Sequence, residues 1–212
     1  MNPAGLRHHV RRLWRGRDVA WVYAAIVIVI SIAVAVQPAH LADQFVNGSS
    51  TNLVNLRQRP LSVLFASPFV TYPATGLWLL APMVVAYGAL QRWLGRLSVL
   101  VVAAAGHVGA TLLVATIELT SVTRGLVGFS VTVRPDVGIS YGLLAVAGFL
   151  GARIEPRWRR RYLLAGSIAI VAQAFLLHDF TALGHVVAWL IGVALAVPVV
   201  RAVGARGTSP LP

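Results

Sequence analysis

Long runs of apolar residues alternate along the chain with short polar segments that carry most of its charges. Six of these runs match the length of a membrane-spanning helix, which takes about 20 residues. They are residues 20–36, about 74–90, 97–117, 135–153, 162–177 and about 182–200. A further apolar stretch, residues 61–73, is broken by Pro68 and Pro73, and we expect an interfacial or re-entrant piece there. The pattern predicts an all-α polytopic membrane protein with six transmembrane helices.

The first apolar run has two interpretations. Ala33 and Ala35 near its end are small residues of the kind that precede a signal-peptide cleavage site. The run is longer than the 7–15 residues typical of the hydrophobic region of a signal peptide. Its length therefore favours a retained first span.

Composition supports the membrane assignment. Of the 212 residues, 58% are hydrophobic and 11% are charged, whereas a soluble domain carries roughly 25% charged residues. The length leaves no room for a sizeable soluble domain beside six spans. The chain contains no cysteine, which excludes disulfides, thiol catalysis and cysteine metal sites.

The formal net charge of +12 comes with 18 arginines that lie between the apolar runs and not on one amphipathic face. We therefore expect no nucleic-acid partner. Because 14 of the 18 arginines lie on the side of the N-terminus, the positive-inside rule predicts that both termini are in the cytoplasm. We expect a multi-pass protein of the plasma membrane. The predicted parts are a basic cytoplasmic N-terminal segment (1–18), a membrane domain (19–201) and a short cytoplasmic tail (202–212).

The connections between the spans are predicted from polar residues and helix-start signals. Residues 37–60 and 118–134 are typical of outer loops, and residues 153–161 of a tight basic turn. Pro135 suits the first position of a helix and Asp136 its first turn, so we expect the fourth helix to begin there. Thr181 is the expected N-cap of the sixth helix, after a short loop at His178 and Asp179.

Polar residues within spans are costly in a bilayer, and each one is a functional-site hypothesis. The candidates are His107 in the third span, Asp136 and Ser140 near the outer end of the fourth, and His185 near the outer end of the sixth. We interpret the deeper His107 as an interhelical hydrogen-bonding residue and Asp136 as a helix-start charge. His107, Asp136 and His185 do not share one depth, so we expect no metal site. No span has a carboxylate at its centre, which argues against an ion-coupled carrier.

Ser140 and His185 are expected at a similar depth, because each follows the expected start of its helix by four or five residues. Lines of small residues accompany them: Gly184, Ala188, Gly192 and Ala196 on the sixth helix, and Ala147 and Gly151 on the fourth. Such lines let membrane helices approach closely, so the two faces are expected to pack together. A serine beside an imidazole is the minimum nucleophile-and-base pair. The alternatives are a serine bonded to a carbonyl one turn earlier and a histidine with a packing or interfacial role.

The sequence around this pair resembles the motifs of the rhomboid family of intramembrane serine proteases. Residues 138–141, with Gly148 eight residues after the serine, resemble the Gly-x-Ser-Gly motif of the fourth rhomboid helix. His185 after Gly184, with Gly192 seven residues later, resembles the motif of the sixth helix. Residues 77–95 resemble the second helix and the Leu-Gly that closes it. The resemblance covers nearly the whole chain.

The resemblance implies a rhomboid-like bundle in which Ser140 is the nucleophile and His185 the general base. The supporting residues that it implies are Gly138 and Tyr141 for the oxyanion or site packing, and Gly142, Gly148 and Gly192 for helix packing. Such an enzyme hydrolyses a peptide bond in or near a transmembrane helix without a cofactor or a metal. The implied partners are the lipid bilayer and the transmembrane helices of substrates or clients.

Several positions depart from the family pattern. Trp78 and Pro82 stand where rhomboids typically carry a His-x-x-x-Asn pair that helps to hold the oxyanion. Tyr141 replaces the second glycine of the serine motif, and Leu144 replaces an aromatic residue that packs against the histidine. These departures keep open a rhomboid-like protein that binds client helices without cleaving them. An unrelated six-helix carrier or channel is the third alternative.

Overall fold

The chain is helical throughout the residues that a computed structural model describes, 16–72 and 76–206, with side chains described to residue 201. Within those ranges the α-helices are α1 (Asp18–Ala35), α2 (Ala39–Ser49), α3 (Leu53–Gln58), α4 (Pro60–Ala66), α5 (Leu80–Leu94), α6 (Arg96–Thr123), α7 (Ser140–Leu150), α8 (Pro156–Leu177) and α9 (Phe180–Arg206). Short 3-10 helices cover Ser67–Phe69, Leu77–Leu79, Phe129–Val133 and Gly151–Arg153. The described ranges contain no β-strand, which confirms the all-α prediction. Most of the predicted N-terminal segment (1–15) and the end of the tail (207–212) lie outside them.

Helices long and apolar enough to cross a membrane occupy the first, second, third, fifth and sixth predicted spans. They are α1, the segment Leu77–Leu94 that contains α5, α6, α8 and the part of α9 up to Arg201. The fourth span corresponds to α7, which has 11 residues and is therefore about 16 Å long. The polytopic helical architecture is confirmed, with a fourth helix much shorter than expected.

The fourth helix begins at Ser140 and not at Pro135, because the preceding backbone is bonded to the segment between α2 and α3. The Asp136 N–H donates to Ser50 Oγ at 2.7 Å, and the Asp136 carbonyl accepts from the Thr51 N–H at 3.0 Å. Gly138 adopts φ +127°, a conformation that favours glycine. These constraints hold residues 136–138 outside a helix, so the predicted start was wrong.

Other predicted connections also turn out to be helical. Residues 37–60, which were predicted to form a loop, contain the helices α2 and α3. The basic turn is shorter than expected, because Pro156 occupies the first turn of α8 and the arginines after it continue the helix. At the other end of α8, His178 has φ 51° and Asp179 accepts a hydrogen bond from the Ala182 N–H at 2.6 Å. The cap of the last helix is therefore Asp179 and not Thr181.

The central helix α7 is packed between α5, α6 and α9. Its closest approach is to α9, where a Cβ added at Gly192 would overlap the Ala145 carbonyl and a Cβ at Gly148 would lie 2.5 Å from the Trp189 carbonyl oxygen. The small residues of the sixth helix thus face α7, as expected. On α7, however, the facing line is Tyr141, Ala145 and Gly148.

The line on α7 that contains Ser140 faces a different neighbour from the one expected. Ala147 accepts a hydrogen bond from Tyr162 Oη of α8 at 2.7 Å, and a Cβ at Gly151 would lie 2.8 Å from Leu163 of α8. Ala147 and Gly151 thus contact α8, whereas the closest contact with the last helix is made by the neighbouring line of Tyr141, Ala145 and Gly148.

Candidate functional site

Ser140 is the first residue of α7, and its side chain is partly buried. Its hydroxyl makes no hydrogen bond to any described residue. The first backbone bond of the helix runs from the Leu143 N–H to the Ile139 carbonyl at 3.1 Å. The amides of Ser140, Tyr141 and Gly142 therefore lie at a helix N-terminus, where N–H groups have no acceptor within the helix. A helix N-terminus favours a negatively charged group.

His185 lies on the first turns of α9, and its ring is held by one neighbour. Its Nδ1 is 3.2 Å from Gln173 Oε1 of α8. Because an amide oxygen only accepts hydrogen bonds, Nδ1 carries the proton and Nε2 has the free lone pair. Nε2 is buried and has no hydrogen-bond partner within the described part of the chain. This is the tautomer that a general base requires.

The ring of Tyr141 stands beside His185. The two ring centroids are 5.6 Å apart, and the rings meet edge to face at 81°. Tyr141 also packs over Gly184, where any Cβ would overlap the tyrosine ring. Tyr141 thus provides an aromatic contact to the histidine, which Leu144 does not supply. In this arrangement no hydrogen bond joins Ser140 Oγ to His185.

Asp136 has a different role from the one predicted, since it connects the segment before α3, the first turn of α7 and the first turn of α9. Its carboxylate accepts hydrogen bonds from Tyr141 Oη at 3.1 Å, from Thr181 Oγ1 at 3.3 Å and from Thr51 Oγ1 at 3.3 Å. Burial raises the pKa of this carboxyl, and the three hydrogen bonds act in the opposite direction. The predicted helix-start charge is instead a hydrogen-bonded junction.

A second serine–histidine contact lies deeper in the bundle. Ser67 Oγ is 3.0 Å from His107 Nε2, and both residues are buried. This contact joins the 3-10 helix after α4 to α6, which confirms His107 as an interhelical hydrogen-bonding residue. Sequence analysis did not find Ser67, because the serine is 40 residues from its partner and belongs to no motif.

The two remaining predicted glycines also lie at close approaches. The Gly138 N–H donates to the Ser67 carbonyl at 3.0 Å, which joins the segment before α7 to the 3-10 helix Ser67–Phe69. A Cβ at Gly142 would lie 2.6 Å from Tyr87 Oη and 3.5 Å from Ala103. α7 therefore contacts α5 and α6 through Gly142 and has no room for a larger side chain there.

No group of three His, Cys, Asp or Glu side chains within residues 16–72 and 76–201 is arranged to hold a metal ion. The polar groups at this end of the bundle include the Ser140 hydroxyl, the His185 imidazole and the backbone amides at the start of α7. Tyr141 and the hydrogen bonds to Asp136 shape this end of the bundle.

Comparisons with known proteins identify the family of the chain. The model of the rhomboid-like protein family matches residues 13–206. No curated protein and no solved structure matches the chain. The family match spans all the helices described above, and it excludes a carrier or channel unrelated to rhomboids. The chain belongs to the rhomboid-like protein family.

Proposed function

We propose that this protein is an intramembrane serine protease in which His185 is the general base for Ser140. The observation that carries the proposal is the state of the histidine. Gln173 holds Nδ1 protonated, and the buried Nε2 is left without a partner. A buried polar atom of this kind usually has a partner. In the proposed reaction the Ser140 hydroxyl is that partner.

The reaction follows from these groups. Ser140 Oγ attacks the carbonyl carbon of the scissile bond while its proton passes to His185 Nε2. The imidazolium gives this proton to the leaving amine as the C–N bond breaks. His185 then takes a proton from water, which attacks the ester carbonyl and releases the acid, and the proton returns to Ser140 Oγ.

The oxyanion is the second requirement, and the family's His-x-x-x-Asn pair is replaced here by Trp78 and Pro82. The start of α7 offers an alternative, because the amides of Ser140 and Tyr141 have no acceptor within the helix. A well-placed donor of this kind contributes about 3–4 kcal/mol to transition-state stabilisation. The substrate closes the gap between serine and histidine, since catalytic hydrogen bonds often form only in the complex.

A fluorophosphonate probe tests the proposal on the purified protein in detergent. We expect the parent to be labelled, and both Ser140→Ala and His185→Ala to lose labelling by at least about a thousandfold. Ser130→Ala, on the 3-10 helix before Pro135, is the matched control and keeps the parent's labelling. Absence of labelling in the parent, together with no cleavage of a model transmembrane substrate, would contradict the proposal.

A second candidate function is the binding of client transmembrane helices without cleavage. The observation that favours it is Tyr141, which replaces the glycine of the family motif and fills the space over Gly184. Under this alternative, the parent and Ser140→Ala bind a transmembrane peptide equally, and neither reacts with the probe.

A further inference from the structure

An apolar cavity, which we call the α1–α6 groove, lies between α1, α4 and α6. It has a volume of about 580 Å³, within the range of ligand pockets in proteins. Its walls come from Val19 and Tyr23 of α1, from three residues of α4 and from residues between 99 and 108 of α6. The 3-10 helix after α4, α5 and α7 contribute one or two residues each. Neither Ser140 nor His185 lines this groove.

The walls of the groove offer an apolar surface. The described residues that line it include no Asp, Glu, Lys or Arg. Two of its polar side chains are already bonded within the protein, since Tyr23 Oη donates to the Pro68 carbonyl and His107 Nε2 bonds to Ser67 Oγ. The groove therefore suits a hydrocarbon ligand better than a polar one.

The mouth of the groove lies at the depth of the bilayer. Leu61 and Phe65 of α4 have 82% and 75% of their surface exposed, and Leu100 of α6 has 54%. All three line the groove. The end of α4 is held near the middle of α6 by the bond between Ser67 and His107, and α1 and α6 are both long and apolar enough to cross a membrane. The groove is therefore open to the surrounding lipid.

The dimensions of the groove fit an acyl chain and not a helix. Leu100, Ala104 and Val108 are four residues apart, so they lie along one face of α6. The lining from Val99 to Val108 is about 14 Å long, close to the half-thickness of a bilayer's hydrocarbon core, about 15 Å. One turn of a transmembrane helix occupies about 420–610 Å³, so a single turn would take up the whole groove.

Positive charge lies at one end of this face. Arg96 precedes Leu100 by one turn of α6, and its side chain is 72% exposed. Its Nε bonds to Asp18 at 2.8 Å, and no described residue accepts a hydrogen bond from its terminal amino groups. Arg17 is next to Asp18 in the chain, and Arg92 packs beside residue 16. Three arginines and one carboxylate give this corner a positive charge that is complementary to an anionic headgroup.

We infer that the α1–α6 groove binds one acyl chain of an anionic phospholipid whose phosphate lies at Arg96. Lipid tails are as apolar as the walls, so the hydrophobic effect gives the groove no advantage over the bilayer. The preference comes from hydrogen bonds between guanidinium and phosphate and from contacts in a space that side chains leave unfilled. The inference does not depend on the reaction proposed for Ser140.

Photolabelling in nanodiscs tests the position of the acyl chain. The probe is phosphatidylglycerol with a diazirine on one acyl chain, and the adducts are located by mass spectrometry of peptides. We expect adducts on Tyr87 and His107, which line the groove but are buried from the surrounding lipid. Ala104→Phe, which places a ring in the groove, should abolish them. Ala169→Phe is the matched control and keeps them, because Ala169 is an exposed alanine of α8 away from the groove.

The same probe tests the position of the phosphate. Arg96→Gln should reduce the adducts about fivefold, because the phosphate loses one nearby arginine. Arg157→Gln is the matched control and leaves them unchanged, since Arg157 is equally exposed and bonds to Glu155 as Arg96 bonds to Asp18. In the parent, a phosphatidylcholine probe with the same diazirine should give fewer adducts, because its headgroup has no net charge.

Three results would overturn the inference. They are the absence of adducts on Tyr87 and His107 in the parent, equal adducts in folded Ala104→Phe and Ala169→Phe proteins, and equal labelling by the two lipid probes. Suppression of the adducts by a transmembrane peptide would also overturn it and would assign the groove to a partner helix. Melting curves of each variant establish that it is folded.

Discussion

Two serine–histidine pairs occur in this bundle, and they differ in nearly every respect that matters for chemistry. Ser67 and His107 are joined by a hydrogen bond of 3.0 Å, and Ser67 has no exposed surface. Ser140 and His185 are not joined, and Ser140 is partly exposed at a helix N-terminus. The pair that is joined by a hydrogen bond is therefore the more deeply buried one.

A short serine–histidine distance alone does not make a catalytic pair. A nucleophile needs access to its substrate, donors for the oxyanion and a base with a free lone pair. Ser67 lies inside the fold, where its hydroxyl satisfies a buried imidazole. Ser140 lies at a helix N-terminus, and Nε2 of His185 on α9 has no hydrogen-bond partner within the described residues. The following variants separate the two pairs.

The largest effect is expected from Gly192→Ala. The added Cβ would overlap the Ala145 carbonyl, so α7 and α9 must separate at a cost of about 3 kcal/mol. This change moves Ser140 relative to His185 and leaves Ser67 and His107 in place. We expect a lower Tm and loss of fluorophosphonate labelling. Gly128→Ala is the control, because its Cβ would meet no atom closer than 3.8 Å; equal Tm values for the two variants would contradict the close approach.

Ser67→Ala should lower stability without affecting the proposed reaction. It leaves the buried His107 Nε2 without a partner, which costs about 1–3 kcal/mol. Labelling at Ser140 should persist in the folded protein. A double variant with His107→Leu should be less destabilised than the sum of the two single changes, as measured by unfolding in a mixed detergent series. Loss of labelling in a folded Ser67→Ala protein would indicate that Ser67, and not Ser140, is the nucleophile.

Gln173→Leu should slow labelling by about tenfold, because Nδ1 loses the acceptor that fixes the tautomer of His185. Gln173→Glu keeps an acceptor at this position and is the matched variant, with a rate close to that of the parent. The Tm of both should remain near the parent value, since Gln173 is only partly buried. Equal rates for the leucine and glutamate variants would show that the tautomer does not depend on this contact.

The smallest effect concerns pH and Asp136. Burial raises the pKa of this carboxyl in the folded protein, and the nearby charge of Asp179 adds to the rise. The folded protein therefore binds the proton more tightly than the unfolded chain. This stabilisation is complete below the usual pKa and is lost as pH rises through the raised value. We expect a small effect, because the three hydrogen bonds to the carboxylate act against the rise. In Asp136→Asn the contribution of this carboxyl to the slope of Tm against pH should disappear. An unchanged slope would contradict a raised pKa of Asp136 in the folded protein.

The long helices could be predicted from the sequence because burial in a bilayer imposes a continuous apolar run on each one. The boundary between α8 and α9 was also predictable, since His178 and Asp179 interrupt two such runs. The start of α7 was not, because Pro135 and Asp136 are good helix-start residues locally. Their backbone is instead bonded to Ser50 and Thr51, a contact that no local pattern indicates.

The face of α7 was unpredictable for a different reason. Small residues occupy both the line of Ser140 and the line of Tyr141, which lie about 100° apart around the helix. Gly148 belongs to the line that meets α9, whereas Gly151 belongs to the line that meets α8. Only the packing of the neighbouring helices distinguishes them.

The contact between Thr51 and Asp136 also has a consequence for the order of events during synthesis. The two residues are 85 positions apart, and ribosomes add about 5–20 residues per second. Thr51 is therefore made roughly 4–17 s before its partner. During this interval the second and third spans are produced, while the contact between Thr51 and Asp136 cannot form. The end of the bundle at which α7 begins is therefore completed late in biogenesis.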